Sequence, residues 1–129
     1  MQSNTSFAHS AYQQGQVAAS SPLRIISLLY DGAIRFCKQA EKHFGDPSTR
    51  GSALGRAHAI VSELLVALDL DRGGEVATNL DGLYRYVLDA LIRANVEGEH
   101  KALASAIQVL ETLADGWHEL AKASVEGAP

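Results

Sequence analysis

The stretch from Ser20 to Phe44 constrains the fold of this chain more than any other. It opens with Ser21-Pro22, a serine before a proline at the first helical position, which is typical of a helix start, and it runs uninterrupted to about Phe44. Its apolar residues fall on two adjacent stripes at helical spacing: Leu29, Ala33, Phe36 and Ala40 form one, and Ile26, Tyr30, Ile34 and Cys37 form the other. A helix with two apolar stripes needs two neighbours, or one neighbour and a partner from outside the chain.

Three further segments have helical periodicity. The second begins at Ser48 or Ser52 and ends near Asp69 to Asp71, the third spans Glu75 to Val96, and the fourth spans His100 to Ala123. Short turns separate them: Gly45-Asp46-Pro47-Ser48, Arg72-Gly73-Gly74 and Glu97-Gly98-Glu99. Short connections make consecutive long helices antiparallel neighbours, so the sequence predicts an all-α fold, an antiparallel up-down four-helix bundle.

The ends of the chain differ from the predicted bundle of residues 20–124. Residues 1–19 are rich in Ser, Gln, Ala and Asn and are expected to form a flexible arm. Either this arm is a disordered tail, or Tyr12 and its neighbours pack on the bundle as a cap segment or short helix. Residues 125–129 are expected to be frayed.

Charge and composition exclude several classes of protein. The net charge of -4 and the absence of a basic stripe argue against a nucleic-acid partner. The polar start is not a secretory signal, and no apolar run is long enough to insert into a membrane. The single cysteine, Cys37, forms no disulfide framework, which fits a reducing cytosol. We therefore expect a cytoplasmic protein.

No residue pattern indicates an enzyme, a metal site or a cofactor. Glu97-Gly98-Glu99-His100 has the spacing of a carboxylate-histidine metal pair, but it falls at a turn and has no second copy. His58 on a bundle helix suggests histidine phosphotransfer as an alternative function, although Val61 and Ser62 stand where such modules have Lys and Gly. A third possibility is a bundle that oligomerises through its surplus stripes.

Four glycines lie in the middle of predicted helices, where each costs roughly 0.5–1 kcal/mol relative to alanine. These are Gly32, Gly55, Gly82 and Gly116. They indicate either tight packing between helices or shallow surface troughs in which another helix can lie. For Gly32, beside Tyr30, we favour the trough.

Several motifs, in order along nearly the whole chain, resemble the FliS family of flagellar secretion chaperones. Tyr12-Gln13-Gln14 and Ser21-Pro22 are followed by the block Leu28-Leu29-Tyr30-Asp31-Gly32-Ala33-Ile34-Arg35-Phe36. Later come Gly73-Gly74-Glu75-Val76-Ala77-Thr78-Asn79-Leu80, Leu83-Tyr84-Arg85-Tyr86, Ala94-Asn95 and Trp117. The resemblance implies a cytosolic chaperone that binds the disordered C-terminal segment of flagellin, prevents premature polymerisation and assists delivery to the flagellar type III export apparatus. It also implies contacts with the export gate and with flagellar regulators such as an anti-sigma factor.

The surplus apolar stripes suggest where such a segment binds, because a disordered partner needs a large apolar contact to offset its ordering cost. We expect Ile26, Tyr30 and Ile34, beside Gly32, to line one groove. Candidates for a second groove are Leu65, Leu68, Leu80, Leu83 and Tyr84. Tyr12 would either cap the exposed groove in the free protein or clasp the bound partner. Tyr30 and Tyr84 are the strongest candidates for surface positions, because their polar tips suit a wet site.

Overall fold

A computed structural model of the chain describes the backbone of residues 22–126 and the side chains of residues 22–123. Within this range there are four helices: α1 (Pro22–Lys42), α2 (Pro47–Val66), α3 (Leu70–Val96) and α4 (His100–Glu126). Tyr12, the arm of residues 1–19 and residues 127–129 lie outside the described residues. None of the four helices is long and apolar enough to cross a lipid bilayer.

The helices form a closed ring of neighbours. α1 packs against α2 and α4, and α3 packs against the same two helices. The prediction of a four-helix bundle is therefore confirmed. Alanines lie at many of the buried positions, among them Ala33, Ala57, Ala90 and Ala106, and side chains this small let the helices approach closely.

The start of α2 differs from the prediction in a way that the local chemistry explains. Pro47 is the first residue of the helix and not only a stop for α1, and Asp46 is the N-cap. The Asp46 carboxylate accepts hydrogen bonds from the Ser48 backbone N–H (3.2 Å) and the Thr49 hydroxyl (2.8 Å). The Thr49 hydrogen bond is the main reason that the pKa of Asp46 is lowered. The expected cap at Ser48 or Ser52 is thus wrong, because the aspartate before the proline takes that role.

The start of α3 contains a turn inside a nominally continuous helix. Asp69 caps a first turn from Leu70, accepting from the Arg72 backbone N–H at 3.0 Å. Gly74 then leaves the helical conformation, with φ 55° and ψ -134°. The regular part of α3 consequently begins after Gly74, in agreement with the predicted start at Glu75. The α3–α4 turn holds the other described glycine with positive φ, Gly98.

The second stripe of α1, from which we predicted groove residues, contributes more to the core than we expected. Ile26, Tyr30 and Cys37 of the second stripe are buried in the core, whereas Leu29 and Phe36 of the first stripe are only partly buried. Ala33 and Ala40 are buried as expected. Both stripes therefore contribute to the core, and Ile34 is the residue of the second stripe that is only partly buried.

Candidate functional site

A cluster of three aromatic side chains occupies the middle of the bundle. The hydroxyl oxygens of Tyr30 and Tyr84 are 2.5 Å apart, so the two residues hydrogen bond between the diagonally opposed helices α1 and α3. The Tyr30 ring centroid is 6.2 Å from that of Tyr84 and 6.2 Å from that of Trp117. Both tyrosines have no exposed surface. The expectation that their polar tips would keep them at the surface is wrong, because each hydroxyl has a polar partner inside the core.

Most of the large exposed apolar side chains belong to two of the four helices, α2 and α3. Seven such side chains occur in the described part of the chain, and six of them belong to α2 or α3: Val66, Leu70, Leu83, Tyr86, Ile92 and Val96. The seventh, Leu28, lies on α1. Ile92 and Val96 share one face of α3 beside α2, and exposed apolar side chains that adjoin each other mark a site for a partner.

A cleft of about 300 Å³ opens between α2 and α3 within this region. It is lined by Leu54, Gly55, His58, Leu91, Ile92, Asn95 and Val96. Val96 is 75% exposed and Ile92 is 50% exposed. A Cβ atom added at Gly55 would have no neighbour within 4 Å, so the missing side chain widens the cleft and makes no close helix contact. The cleft can accept apolar side chains of a peptide.

Polar groups hold one end of the cleft in place. The Arg50 guanidinium donates to the backbone carbonyl of Phe44 (2.8 Å) and to that of Asn95 (3.2 Å). These hydrogen bonds join the turn before α2 to the end of α3. The cleft is therefore built on a fixed helix pair.

His58 lies inside this cleft and is only partly exposed. Its Nδ1 atom is 3.5 Å from the Ser62 hydroxyl. A phosphoryl group on His58 would carry its charge into a cleft lined by Leu91 and Ile92, which opposes the phosphotransfer alternative.

The predicted groove residues are divided among several places. Ile26, Tyr30, Leu80 and Tyr84 are buried, whereas Ile34, Leu65 and Leu68 are partly buried against the core. Leu83 is 37% exposed and borders a separate shallow depression with Thr78, Asn79 and Gly82. The structure therefore does not bring these residues together into the two grooves that we predicted.

The four glycines in the middle of helices also differ in their surroundings. Gly32 is buried, and a Cβ atom there would be 3.4 Å from Ile60 Cδ1, so Ile60 fills the expected trough. Gly82 and Gly116, like Gly55, face open space. Sequence reasoning did not identify Gly55, Ile92 and Val96 as one site. A usable signal was present, since Ile92 and Val96 are spaced four residues apart on one helix face.

The sequence is similar to those of known proteins over most of its length. The profile of the family described as Flagellar protein FliS matches residues 4–124. The flagellar secretion chaperone FliS of Campylobacter jejuni subsp. jejuni serotype O:6 is 37% identical over 122 residues, which cover 93% of this chain and 94% of the relative. The FliS chaperone of Salmonella typhimurium is 34% identical over 88% of this chain and 87% of its own. That of Bacillus subtilis is 26% identical over 86% of this chain and 84% of its own.

Proposed function

Since the chain belongs to the FliS family of flagellar secretion chaperones, we propose that it binds the disordered C-terminal segment of flagellin, in the bacterial cytosol. In this proposal, binding prevents premature polymerisation and helps to deliver the subunit to the flagellar type III export apparatus. Membership in a chaperone family agrees with the expectation that the chain is not an enzyme. Flagellar proteins are its expected class of partner.

The gathering of exposed apolar side chains on α2 and α3 is the observation that carries the proposal. A segment that is disordered when free loses conformational freedom on binding, so it must bury a large apolar area in return. Val66 and Leu70 lie near one end of the α2–α3 pair, and Ile92 and Val96 lie near the other. An extended apolar surface of this kind suits a long partner segment.

The cleft suggests how part of the segment binds. An amphipathic helix places apolar side chains at i, i+3 or i+4 into a groove between two helices. Gly55 leaves room for a close approach, while His58 and Asn95 offer polar groups that could fix the register. We propose that one helical stretch of the flagellin segment docks here.

The residues that we predicted to line the grooves have different roles in the proposal. Leu65, Leu68 and Leu83 retain exposed surface and extend the proposed contact on α2 and α3. A direct role for Ile26, Tyr30, Leu80 or Tyr84 would require a partner to uncover buried side chains. Gly32 and Ile34 would act by shaping α1, and Tyr12 stays a prediction outside the described residues.

Calorimetry with a synthetic flagellin C-terminal peptide tests the site. We expect Ile92→Glu to weaken binding at least tenfold, because it places a charge among the apolar contacts. Leu28→Glu is the matched control: Leu28 is 55% exposed and Ile92 is 50% exposed, but Leu28 lies on α1 away from the cleft. Unchanged affinity in Ile92→Glu, or an equal loss in Leu28→Glu, would count against the cleft.

Two further experiments test the partner and the arm. Native flagellin should co-purify with the chain, and flagellin without its C-terminal segment should not. Deleting residues 1–19 should tighten peptide binding if the arm covers the site, and weaken it if the arm clasps the ligand. The same purified complex can be tested for binding to the export gate and to an anti-sigma factor.

A further inference from the structure

A pair of arginines flanks one partly buried aromatic ring on the surface between α1 and α2. The Arg35 guanidinium carbon lies 5.5 Å from the Phe36 ring centroid, and that of Arg56 lies 5.7 Å from the same centroid. Both arginines are exposed, and Phe36 is partly buried. We name Arg35, Phe36 and Arg56 the arginine clamp.

The clamp is built so that both cations stay near the ring. A Cβ atom at Gly32 would be 3.9 Å from the Arg35 Nη2 atom, so the Arg35 side chain folds back over the glycine one turn earlier. Attraction between each guanidinium and the ring face favours this position. Because the two distances share one centroid, the cations can be separated by no more than the sum of these distances. Both cations are therefore within reach of one extended ligand segment that crosses the Phe36 ring.

Neither clamp arginine has a carboxylate partner among the described residues. By contrast, Arg72, Arg85 and Arg93 each form an ion pair with an aspartate close in sequence. The exposed Arg24 of α1 resembles the clamp arginines in forming no ion pair among the described residues. Arg50 is also engaged, through backbone carbonyls. The clamp thus presents two unneutralised guanidinium groups on a chain whose net charge is -4.

The acidic residues of α1 are directed elsewhere. Asp31 is bound to His118 of α4 at 2.9 Å, and Glu41 lies 3.9 Å from His100 of α4. On α2, Glu63 is seven residues from Arg56, which is about two helical turns or roughly 10 Å along the axis. No described carboxylate thus forms an ion pair with either clamp arginine, although Asp31 lies one turn before Arg35 on α1.

We propose that the arginine clamp docks an acidic helical segment of a partner protein. Guanidinium groups form planar, two-point hydrogen bonds with carboxylates, and a guanidinium over a ring keeps its N–H edge free for such a bond. Glutamates one turn apart on a helix have Cβ atoms about 5–6 Å from each other, and their flexible stems let the two carboxylates reach guanidinium groups on either side of the Phe36 ring. A clamp of only two cations is too small to supply the stripe of positive charge that a nucleic acid backbone requires.

This surface is separate from the cleft between α2 and α3. Phe36 and Arg35 belong to α1, which does not line the cleft, and Arg56 of α2 is not a lining residue, although it follows the cleft residue Gly55. The clamp can therefore be occupied while the cleft is filled, and its proposal stands without the flagellin proposal.

The test uses the full chain and a fluorescent probe peptide of Glu, Leu and Ala with glutamates at i and i+4. A second peptide with Gln in place of every Glu and a single-stranded oligonucleotide are the comparisons. We expect the acidic peptide alone to bind, and Arg35→Gln with Arg56→Gln to weaken its binding about tenfold. The matched control, Lys101→Gln with Lys122→Gln, removes the same charge from exposed, unpaired positions on α4 and should change binding little.

Each other outcome overturns the proposal. Absence of binding by the acidic peptide would do so, as would equal binding of the Gln peptide, preference for the oligonucleotide, or equal loss in the lysine control. Arg35→Lys with Arg56→Lys keeps the charge but lacks the planar fork, so it should bind more weakly than the wild type. Displacement of the acidic peptide by the flagellin peptide would contradict a separate site. Thermal unfolding of each variant shows that loss of binding does not reflect loss of the fold.

Discussion

At the residue scale, the hydrogen bond between Tyr30 and Tyr84 lets two hydroxyl groups lie in an apolar interior. A buried hydroxyl without a partner is costly, whereas a paired one adds modest stability. Each tyrosine supplies the other with a partner in a core that is otherwise largely Leu, Val and Ala. The two residues are therefore energetically coupled.

A double-mutant cycle tests this coupling. We expect Tyr30→Phe and Tyr84→Phe each to cost about 1 kcal/mol, and the double variant to cost less than their sum by about 0.5–1.5 kcal/mol. Urea unfolding of the four proteins measures the coupling. Tyr86→Phe is the control, because Tyr86 is exposed and its hydroxyl meets Ser105 at the surface. Additive losses would show that the pair is not coupled.

Cys37 gives the core a dependence on alkaline pH. Burial, with a smaller contribution from the nearby charge of Glu41, raises the pKa of the Cys37 thiol from its ordinary value of 9.0 to about 12. Above pH 9 the unfolded chain releases this proton while the folded chain keeps it. The stability that Cys37 contributes is thus fully present below pH 9 and is lost as the pH rises toward 12.

The unfolding free energy of the wild type should accordingly approach that of Cys37→Ala as the pH rises from 9 to 12. Both proteins contain the same tyrosines, so the effect of tyrosine titration largely cancels when one unfolding free energy is subtracted from the other. Denaturant unfolding at a series of pH values measures the gap. A gap that stays constant or widens over this range would contradict the assigned pKa.

At the element scale, glycine has opposite roles at two places in the helices. Gly74 breaks the helical conformation near the start of α3 with φ 55°, a region that alanine enters only with strain. Gly116 lies within α4 and faces open space. The first glycine is required by the backbone, and the second is a cost to the helix.

Alanine substitution separates these roles. We expect Gly116→Ala to stabilise the protein by about 0.5–1 kcal/mol, through helix propensity, and Gly74→Ala to destabilise it by about 1 kcal/mol. Midpoints of thermal unfolding give the signs. If Gly116→Ala destabilises the protein, α4 is in closer contact at this point than the structure indicates.

Much of the fold at this scale could be read from the sequence. Long periodic segments and short turns containing glycine predict four helices and their order, and α4 begins at the predicted residue, His100. The cap of α2 was misplaced because Asp46 and Ser48 are both good caps, and only the geometry around Pro47 distinguishes them. The burial of the second stripe of α1 was underestimated for a different reason. Helical spacing groups residues on a face, but which face is buried depends on the tertiary partners of Tyr30.

At the scale of the whole molecule, binding of a long partner should be visible as stability. A ligand that binds only the folded state raises the unfolding free energy by mass action. At a free concentration 100 times its Kd, the flagellin peptide should add about 2.7 kcal/mol. Thermal unfolding with and without peptide measures the shift, and Ile92→Glu should reduce it. A peptide that leaves the midpoint unchanged does not bind the folded bundle.

The candidate site was less predictable than the fold. The sequence pattern placed Leu65, Leu68 and Leu83 on partner-facing surfaces, and all three keep some exposure. The cleft itself arises where α2 and α3 lie side by side, so Gly55 and Ile92 come together only through tertiary packing. The arginine clamp also spans two helices. A site assembled across two elements leaves no contiguous motif in either.

The tyrosine pair has one more consequence, for the uniqueness of the native state. A core made largely of Ala and Leu offers many nearly equivalent packings, and sliding one helix by a turn displaces its side chains by about 5.4 Å. Apolar contacts tolerate such a slip, but the hydrogen bond between Tyr30 and Tyr84 does not. The hydrogen bond therefore favours one register of α1 relative to α3 and disfavours packings in which either helix is shifted by a turn. Replacing both tyrosines with phenylalanine should therefore leave a bundle with nearly normal helix content and broader, less dispersed NMR spectra.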